Sequence, residues 1–348
     1  MAFGRQRRTQ PEAETDAIMK QRPLRIAAVA ITGLLIVMIG VLVLRSKSEP
    51  AAETGAVTFV LDWFPQPANG AVYAALDKGL FRARGLDVTV QPGGARALAI
   101  PTVAAGRAQF GLASAVNLLD ARAKGIPVVA LAATFQRSPA ALFFHRGQAI
   151  RDFHDLNGRT VYTQITSPQW AYQKKKYKLD AVNDLQFQGT YAAFANDPRA
   201  VTQGYLSVTG DQLRDQGIAT DAIQSREDNG YMGVVFTTEE MIKDHPDIVR
   251  AFVAVTARAW QDFADRSDDA VRALLPHMSG RTRADTLRES DRQKPFIWTG
   301  DALRHGWGWM TRERWEAIIA EQVLEGAIPP MRADDVFTTQ FLPAPPRK

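Results

Sequence analysis

A regular alternation of apolar, strand-like runs with helical segments constrains the fold more than any other feature of the chain. The first four apolar runs are VTFVLDW (57–63), LDVTV (86–90), QFGLA (109–113) and PVVALAATF (127–135). The segments between them have helical spacing and end at glycines. The pattern predicts a mostly parallel sheet with helices on both faces. Ligands bind such sheets beyond the carboxyl ends of the strands, where loops enter helices.

A second unit of strands and helices begins near residue 150. TVYTQ (160–164) predicts a strand, and Ser167 followed by Pro168 predicts the start of a helix. Further along, the pattern predicts a helix over 198–203, a strand over 205–209, a helix over 211–216 and a strand over 222–225.

The last part of the chain is predicted to be mainly helical. MGVVFTT (232–238) is an apolar strand, and Thr237 with Glu240 forms a predicted capping box. That box would open one long helix to about residue 265. No internal repeat is convincing.

The N-terminal region contains an uncharged apolar run, IAAVAITGLLIVMIGVLVL (26–44), of 19 residues. At about 1.5 Å per residue this run can span the roughly 30 Å of a bilayer core. Basic residues are concentrated before it, which places residues 1–25 in the cytoplasm and the main body outside. Residues 45–56 are small and polar and predict a tether. The alternative is a cleaved signal peptide, although the run is longer than the usual apolar core of one.

Charge and composition exclude several classes of function. Residues 1–48 hold eight basic and three acidic residues, which account for the whole net charge of +5. The rest of the chain is neutral overall, so no nucleic-acid-binding face is predicted. The lysine-rich stretch KKKYK (174–178) is interpreted as a solvated helix face. The chain has no cysteine and its five histidines lack metal-site spacing, so neither a metal nor another cofactor is predicted.

Three stretches together resemble the solute-binding proteins of ABC importers. They are LDWFPQPANGAVYAALDKGLFRARGLDV, VAAGRAQFGLASAVNLLDARAKGIPVVALAATFQRSP and VTQGYLSVTGDQLRDQGI. The ending GWMTRERWEAIIAEQVLEGAI…FTTQFLP is similar too, so the resemblance covers roughly residues 57–343. Within this family the chain resembles the receptors for thiamine pyrimidine precursors, with alkylsulfonate and nitrate receptors as wider relatives.

The resemblance implies an α/β fold of the two-lobed periplasmic-binding-protein type (type II), preceded here by the predicted transmembrane helix. Lobe one would comprise residues 57–140 and 236–348, and lobe two residues 141–235. The lobes would close by hinge motion on a small-molecule ligand. The implied partners are an ABC permease and its ATPase subunits, and the implied location is the periplasmic side of a bacterial inner membrane.

Candidate ligand-binding residues follow the predicted strand ends or match the family's motifs. They are Trp63, Phe64, Gln66, Asn69, Tyr73, Ser114, Asn117, Gln164, Ser167 and Tyr205. No catalytic residue is predicted.

Each candidate also has a purely structural interpretation. Trp63 could stack on a planar ligand or lie in the core, and Tyr73 is more typical of packing. Gln66 and Asn69 could bind ligand or simply form the turn at Asn69-Gly70. Ser114 and Ser167 could be plain N-caps, and Phe64 and Tyr205 could pack between the lobes.

Three positions depart from the pyrimidine-precursor pattern. That branch usually has asparagine in place of Gln66, histidine in place of Asn69 and glutamate in place of Thr209. A buried polar group that loses its partner costs about 1–3 kcal/mol, so these differences should change the ligand. We expect a small, partly planar or apolar solute with fewer ionic contacts. Submicromolar binding of 4-amino-5-hydroxymethyl-2-methylpyrimidine would contradict this expectation.

Three functions remain open at this point. The leading hypothesis is a membrane-tethered receptor that hands a solute to a permease. A sensory or interaction module that signals ligand occupancy to a membrane partner is the second. A pyrimidine synthase like that of fungal relatives is the third. Asn69 in place of the loop histidine and the lack of cysteines argue against it.

Overall fold

The computed structural model describes residues 55–94, 99–224 and 230–344. The strands in this part of the chain are β1 (Gly55–Val60), β2 (Leu86–Gln91), β3 (Phe110–Ala113), β4 (Val128–Phe135), β5 (Ala140–His145), β6 (Thr160–Thr163), β7 (Asn183–Gln186), β8 (Val201–Tyr205), β9 (Thr220–Ile223) and β10 (Met232–Thr238). The helices are α1 (Gly70–Asp77), α2 (Ala99–Ala104), α3 (Ala115–Ala123), α4 (Pro168–Lys176), α5 (Ala192–Ala195), α6 (Thr209–Asp215), α7 (Glu239–Asp244), α8 (Pro246–Asp265), α9 (Ser267–Leu274), α10 (Arg283–Ile297), α11 (Asp301–His305) and α12 (Arg312–Leu324).

The strands form two five-stranded sheets. Sheet I has the order β2-β1-β3-β10-β4, and sheet II has the order β7-β6-β8-β5-β9. Four strands of each sheet run in one direction. The exceptions are β10 in sheet I and β5 in sheet II, each antiparallel to both of its neighbours. The predicted α/β architecture with mostly parallel strands is therefore confirmed.

The chain crosses between the sheets twice. The first strand after each crossing, β5 or β10, is the one that runs antiparallel to its neighbours. It leaves sheet I after β4 and enters sheet II as β5, then returns from β9 to sheet I as β10. A strand that arrives from the other sheet without a crossover helix is free to pair antiparallel. The two crossing segments lie next to each other, where Gln224 Nε2 donates to the carbonyl of Ser138 at 2.7 Å.

Each face of sheet I has an apolar core. On one face the Phe252 ring of α8 stacks on the Phe110 ring of β3, with centroids 4.0 Å apart and planes at 5°. The core on the other face includes Phe236 of β10 and Trp315 of α12. Sheet II has smaller cores that include Trp170 of α4 on one face and Phe194 of α5 on the other.

The helix predicted over 198–203 is wrong, and the strand predicted over 205–209 lies a few residues earlier, whereas the helix predicted over 211–216 is confirmed. The structure has strand β8 at Val201–Tyr205 and helix α6 at Thr209–Asp215. Val201 and Thr202 are buried and pair with both β5 and β6. Their β-branched side chains suit a strand better than the predicted helix.

The predicted capping box at Thr237 is wrong by one residue. Thr238 caps α7, because its hydroxyl accepts the N–H of Met241 at 3.1 Å. Thr237 instead belongs to β10, and its hydroxyl donates to the carbonyl of Gln109 at 2.6 Å. The predicted long helix is also divided in two, with α7 ending at Asp244 and α8 starting at Pro246. Pro246 lacks the N–H that would continue α7.

The lysine-rich stretch is not simply a solvated face. Lys174 pairs with Asp184 at 2.8 Å within sheet II's layer. Lys176 pairs with Glu321 of α12, and its side chain is only 10% exposed. Lys175 Nζ donates to the carbonyl of Gly326 at 3.0 Å. The stretch therefore joins α4, which packs on sheet II, to the end of α12, which packs on sheet I.

The predicted tail, membrane anchor and most of the tether lie outside the described residues. Gly55 and Ala56, the last two residues of the predicted tether, belong to β1 and pair with Leu86 and Asp87. Across residues 55–94, 99–224 and 230–344, no helix has the length and apolar character needed to cross a membrane.

Candidate functional site

Two aromatic side chains meet between the sheets. Trp63 follows the carboxyl end of β1 in sheet I, and Phe187 follows the carboxyl end of β7 in sheet II. Their rings are nearly parallel, with centroids 6.2 Å apart and planes at 16°. We call Trp63 and Phe187 the aromatic pair and the space around them the cleft. Because each ring comes from a different sheet, movement of one sheet relative to the other changes their separation.

Phe64 lies at the edge of the cleft. Its side chain is 48% exposed, and its ring contacts that of Trp63 edge-on with centroids 5.4 Å apart. Gly189, in sheet II's layer, comes so near that a Cβ at that position would lie 3.5 Å from the Phe64 ring. Phe64 therefore reaches across from sheet I to sheet II, and this position is consistent with either covering a ligand or packing between lobes.

The β1–α1 loop is fixed by its own side chains. Asn69 is buried, and its Oδ1 accepts the N–H of Gln66 at 3.2 Å. The carbonyl of Gln66 in turn accepts the N–H of Asn69 at 2.8 Å. These bonds close a turn around Pro67, so the structure gives Asn69 a role in shaping the loop. Gln66 is half-buried beside it.

Tyr73 lies in the core of sheet I's layer. Only 4% of the residue is exposed, and its ring centroid is 4.5 Å from that of His277. Burial raises the pKa of Tyr73 to about 12. The side chain packs α1 against the Leu275–His277 turn, which agrees with the packing interpretation of this residue.

Ser114 and Asn117 open helix α3 at the carboxyl end of β3. The Ser114 hydroxyl accepts the N–H of Asn117 at 3.2 Å, so Ser114 is an N-cap. Asn117 Oδ1 is buried and has no hydrogen-bond partner among the described residues. A buried acceptor without a partner is costly unless a ligand or water supplies the donor.

The corresponding loop of sheet II is organised by Gln203. Its Oε1 accepts the N–H of Gln164 at 2.9 Å and lies 3.2 Å from the Thr163 hydroxyl. The carbonyl of Gln164 accepts the N–H of Ser167 at 2.9 Å, one residue before α4. No side-chain cap bond is formed by Ser167. Gln164 and Ser167 therefore meet in one turn at the carboxyl end of β6.

Thr209 fixes Tyr205 and Tyr191. Its hydroxyl accepts the N–H of Tyr205 at 2.9 Å and lies 2.8 Å from the Tyr191 hydroxyl. Gly204 permits this packing, because a Cβ at Gly204 would lie 2.5 Å from the Thr209 hydroxyl. Thr209 is fully buried, so it acts here as a small structural hydroxyl.

Asp62 and Tyr205 bring titratable groups from both sheets together. Burial raises the pKa of the Asp62 carboxyl to about 6, although backbone N–H groups at Asp62 and Trp63 oppose the rise. Burial also raises the pKa of Tyr205, and the nearby Asp62 carboxylate adds to that effect. Near neutral pH the cleft therefore holds a neutral phenol and a carboxyl group that ionises readily above pH 6.

A second charged group lies at the start of α10. Arg281 donates to the Glu289 carboxylate at 2.5 Å, and both side chains are largely buried. Burial raises the pKa of Glu289 to about 7, although the Arg281 guanidinium opposes the rise. In the part of the chain that the structure describes, no cluster of His, Asp or Glu is arranged to hold a metal ion.

The sequence did not single out five of these residues: Asp62, Phe187, Tyr191, Arg281 and Glu289. Asp62 sits inside an apolar run that was interpreted as a buried strand. Phe187 follows β7, whose sequence NDLQ is polar and gives no strand signal. One signal was present for Phe187, since it is an aromatic residue just before the Gln188-Gly189 turn.

Comparison with known proteins gives one family match. The family model described as NMT1/THI5 like matches residues 66–270. The chain is 24% identical over 309 residues to the riboflavin-binding protein RibY of Chloroflexus aurantiacus, covering 82% of this chain and 86% of RibY. It is 28% identical over 110 residues to the 4-amino-5-hydroxymethyl-2-methylpyrimidine phosphate synthase THI5 of Saccharomyces cerevisiae, covering 31% and 32%.

A similar solved structure has the same fold. The alkanesulfonate-binding protein SsuA from Xanthomonas axonopodis pv. citri, bound to MOPS, superposes with a TM-score of 0.63. The superposition covers 83% of this chain and 100% of SsuA at 15% identity. At that identity the likeness establishes the two-sheet fold of periplasmic binding proteins.

Proposed function

The chain belongs to the NMT1/THI5-like family, and on that premise we propose that it is the solute-binding component of an ABC importer. The similarity to RibY, which extends over most of both chains, supports a binding role. The fold shared with SsuA is the one expected of such a receptor.

The receptor works by closure of two lobes. Lobe one would be built on sheet I and lobe two on sheet II; the predicted boundary at residue 235 falls inside β10 of sheet I, so lobe one resumes before Met232. The two chain crossings form the hinge, where Arg314 binds Gln136 and its guanidinium lies 4.1 Å from the centroid of the Tyr231 ring. A hinge held at two adjacent segments allows rotation of one lobe about the other.

The aromatic pair is the observation that carries this proposal. Carbon atoms in contact lie about 3.5 Å apart, so a planar ring held between two others separates them by about 7 Å. The centroids of Trp63 and Phe187 are 6.2 Å apart, a distance usual for rings in direct contact, so a solute would enter while the lobes are apart and be held as they close. Together with the three polar positions that depart from the pyrimidine-precursor pattern, the aromatic pair favours a planar solute with few ionic contacts.

The remaining candidate residues divide by role in this proposal. Phe64, Asn117 and Tyr205 border the bound solute together with Gln66. The side chains that hold the binding loops in shape are Asn69, Ser114, Gln164 and Ser167, and Tyr73 supports α1 from the core.

The partners follow from the importer role. A permease and its ATPase subunits receive the solute, and residues 26–44 anchor the receptor in the inner membrane. Residues 1–25 lie in the cytoplasm and the two lobes in the periplasm. No nucleic acid is involved, because the main body carries no net charge.

An enzymatic role is not supported. The similarity to the yeast synthase covers less than a third of either chain. The chain has no cysteine. Asn69, which stands at the position of the fungal loop histidine, accepts the N–H of Gln66 and so holds the β1–α1 turn. The lobes therefore bind and release their solute unchanged.

A melting-temperature screen of the full chain in mild detergent tests the proposal. At 100 times its Kd a ligand stabilises the folded state by about 2.7 kcal/mol. For a chain of this size that corresponds to a rise of about 5 °C or more. We expect such a rise with at least one uncharged planar heterocycle, and none with MOPS as a non-planar control. A screen in which only charged, non-planar solutes stabilise the chain would refute the proposed ligand class.

A further inference from the structure

The two lobes do not share an apolar core. Each of the four apolar cores among the described residues packs on a single sheet, two on sheet I and two on sheet II. Away from the two chain crossings, the contacts between lobes include the aromatic pair and two ion pairs between helices. Closure therefore forms no common apolar core, so these polar contacts carry more weight in the balance between open and closed states.

The first ion pair joins α4 of lobe two to α12 of lobe one. Lys176 binds the carboxylate of Glu321, and only 10% of the lysine side chain is exposed. The rings of Tyr172 and Tyr177, both from lobe two, have centroids 5.5 Å from Lys176 Nζ. Aromatic faces at that distance attract an ammonium group. Lobe two therefore presents a positioned positive charge to a carboxylate of lobe one.

The second ion pair joins α6 of lobe two to α10 of lobe one. Asp211 binds Arg292, and the aspartate side chain is 15% exposed. Arg214, one turn further along α6, also binds Asp211, at 2.6 Å. Asp211 is thus held by its own helix while it contacts the other lobe. The signs are opposite to those of the first pair, since here lobe two supplies the carboxylate.

Neither ion pair belongs to the connections between the sheets. All four residues lie in helices, outside the segments between β4 and β5 and between β9 and β10. A contact away from the hinge breaks when one lobe rotates from the other, so these pairs exist only while the lobes are together. Closure withdraws Lys176 and Asp211 from water, which is costly unless an opposite charge lies beside each of them.

We propose that the Lys176–Glu321 and Asp211–Arg292 ion pairs are two latches that form as the lobes close and stabilise the closed state. The assignment rests on the lobe closure in the proposed function, and it adds the contacts that set how much of the receptor is closed. The latches lie on different pairs of helices, so their effects on closure should add. They act on the lobes themselves and can be tested without knowing the solute.

Charge reversal in the full chain tests the first latch. Spin labels at Asp87→Cys on sheet I and Leu185→Cys on sheet II report lobe separation by pulsed electron resonance, and the chain has no other cysteine. Without any solute, we expect the chain with both latches intact to show a population at short distance. Glu321→Lys places a like charge beside Lys176 and should lower the ratio of short to long distances at least about tenfold.

Two variants separate the first latch from a general loss of structure. Lys176→Glu combined with Glu321→Lys restores opposite charges and should recover most of the short-distance population. Glu316→Lys is the matched control, because Glu316 is an exposed residue of the same helix and undergoes the same change of charge. It should leave the distance distribution unchanged.

The second latch is tested in the same way. Arg292→Glu places a like charge beside Asp211 and should also lower the ratio of short to long distances. Combined with Glu321→Lys, it should lower that ratio further than either substitution alone. Arg283→Glu is the matched control on α10, because Arg283 pairs with Asp268 within lobe one.

The outcomes distinguish the latches from the receptor function. Absence of a short-distance population in the chain with both latches intact would overturn the proposal, as would a population that neither Glu321→Lys nor Arg292→Glu reduces. If the swapped pair failed to recover short distances while its circular dichroism spectrum stayed unchanged, charge pairing at the first latch would be overturned. The receptor proposal would survive each of these results, because it is tested separately by the melting-temperature screen.

Discussion

Replacing Trp63 with alanine is expected to weaken solute binding about 5- to 150-fold. Stacking of a planar ring on an aromatic side chain contributes about 1–3 kcal/mol, which corresponds to that range. The substitution should leave the fold intact, because Trp63 is only half-buried and lies in a loop after β1. Titration of the planar solute that most raises the melting temperature measures the effect.

Two further variants make the Trp63 result specific. Phe187→Ala should cause a loss of similar size, since Phe187 supplies the opposite ring from sheet II. Trp309→Ala is the matched control, because Trp309 is also half-buried but packs on His305. Full affinity in Trp63→Ala would place the ring elsewhere and remove the main support for the cleft.

Replacing Phe252 with alanine is expected to lower the free energy of unfolding by about 3–5 kcal/mol. The residue is fully buried, and its ring contacts those of Phe59, Phe81 and Phe110 with centroids 4.0 to 5.4 Å apart. The cavity left by the missing ring lies between α8 and sheet I, where the backbone cannot easily collapse. Urea denaturation followed by circular dichroism measures the change.

An exposed phenylalanine provides the comparison for Phe252. Phe64→Ala should change the unfolding free energy by about 1 kcal/mol or less, because half of that side chain is already in water. If Phe252→Ala lowered the free energy of unfolding by less than about 1 kcal/mol, the packing of α8 on sheet I would not be a main source of stability.

The alternation of strands and helices could be predicted from local sequence, because strands appear as short apolar runs and helices as apolar residues at helical spacing. The predictions for β1, β3 and β4 are confirmed, since each run is apolar and bounded by glycine or proline. The reversal of β5 and β10 could not be predicted from the residues, because pairing direction depends on which sheet the chain crosses to. The error at 198–209 arose where the pairing of Val201 and Thr202 with β5 and β6, not local pattern, determines the strand.

The candidate site was predictable only where it follows an apolar strand. Trp63 and Ser114 stand at the ends of β1 and β3, and both positions were singled out for that reason. Phe187 comes after a polar edge strand, whereas Glu289 lies in α10 and Arg281 just before it, both far from Phe187 in sequence. Their approach to the cleft is a product of the tertiary fold, which local patterns do not encode.

Closure of the lobes on a planar solute can be measured directly, because the chain has no cysteine to interfere with site-specific labels. Asp87 and Leu185 are exposed and lie on β2 and β7, the edge strands furthest from the reversed strands that connect the sheets. Spin labels at Asp87→Cys and Leu185→Cys should therefore report the largest hinge movement.

We expect the distance between these labels, measured by pulsed electron resonance, to shorten and narrow when the planar solute that most raises the melting temperature is added. The same variant carrying Trp63→Ala should need a correspondingly higher solute concentration for the change. An unchanged distance distribution at saturating solute would contradict capture by lobe closure.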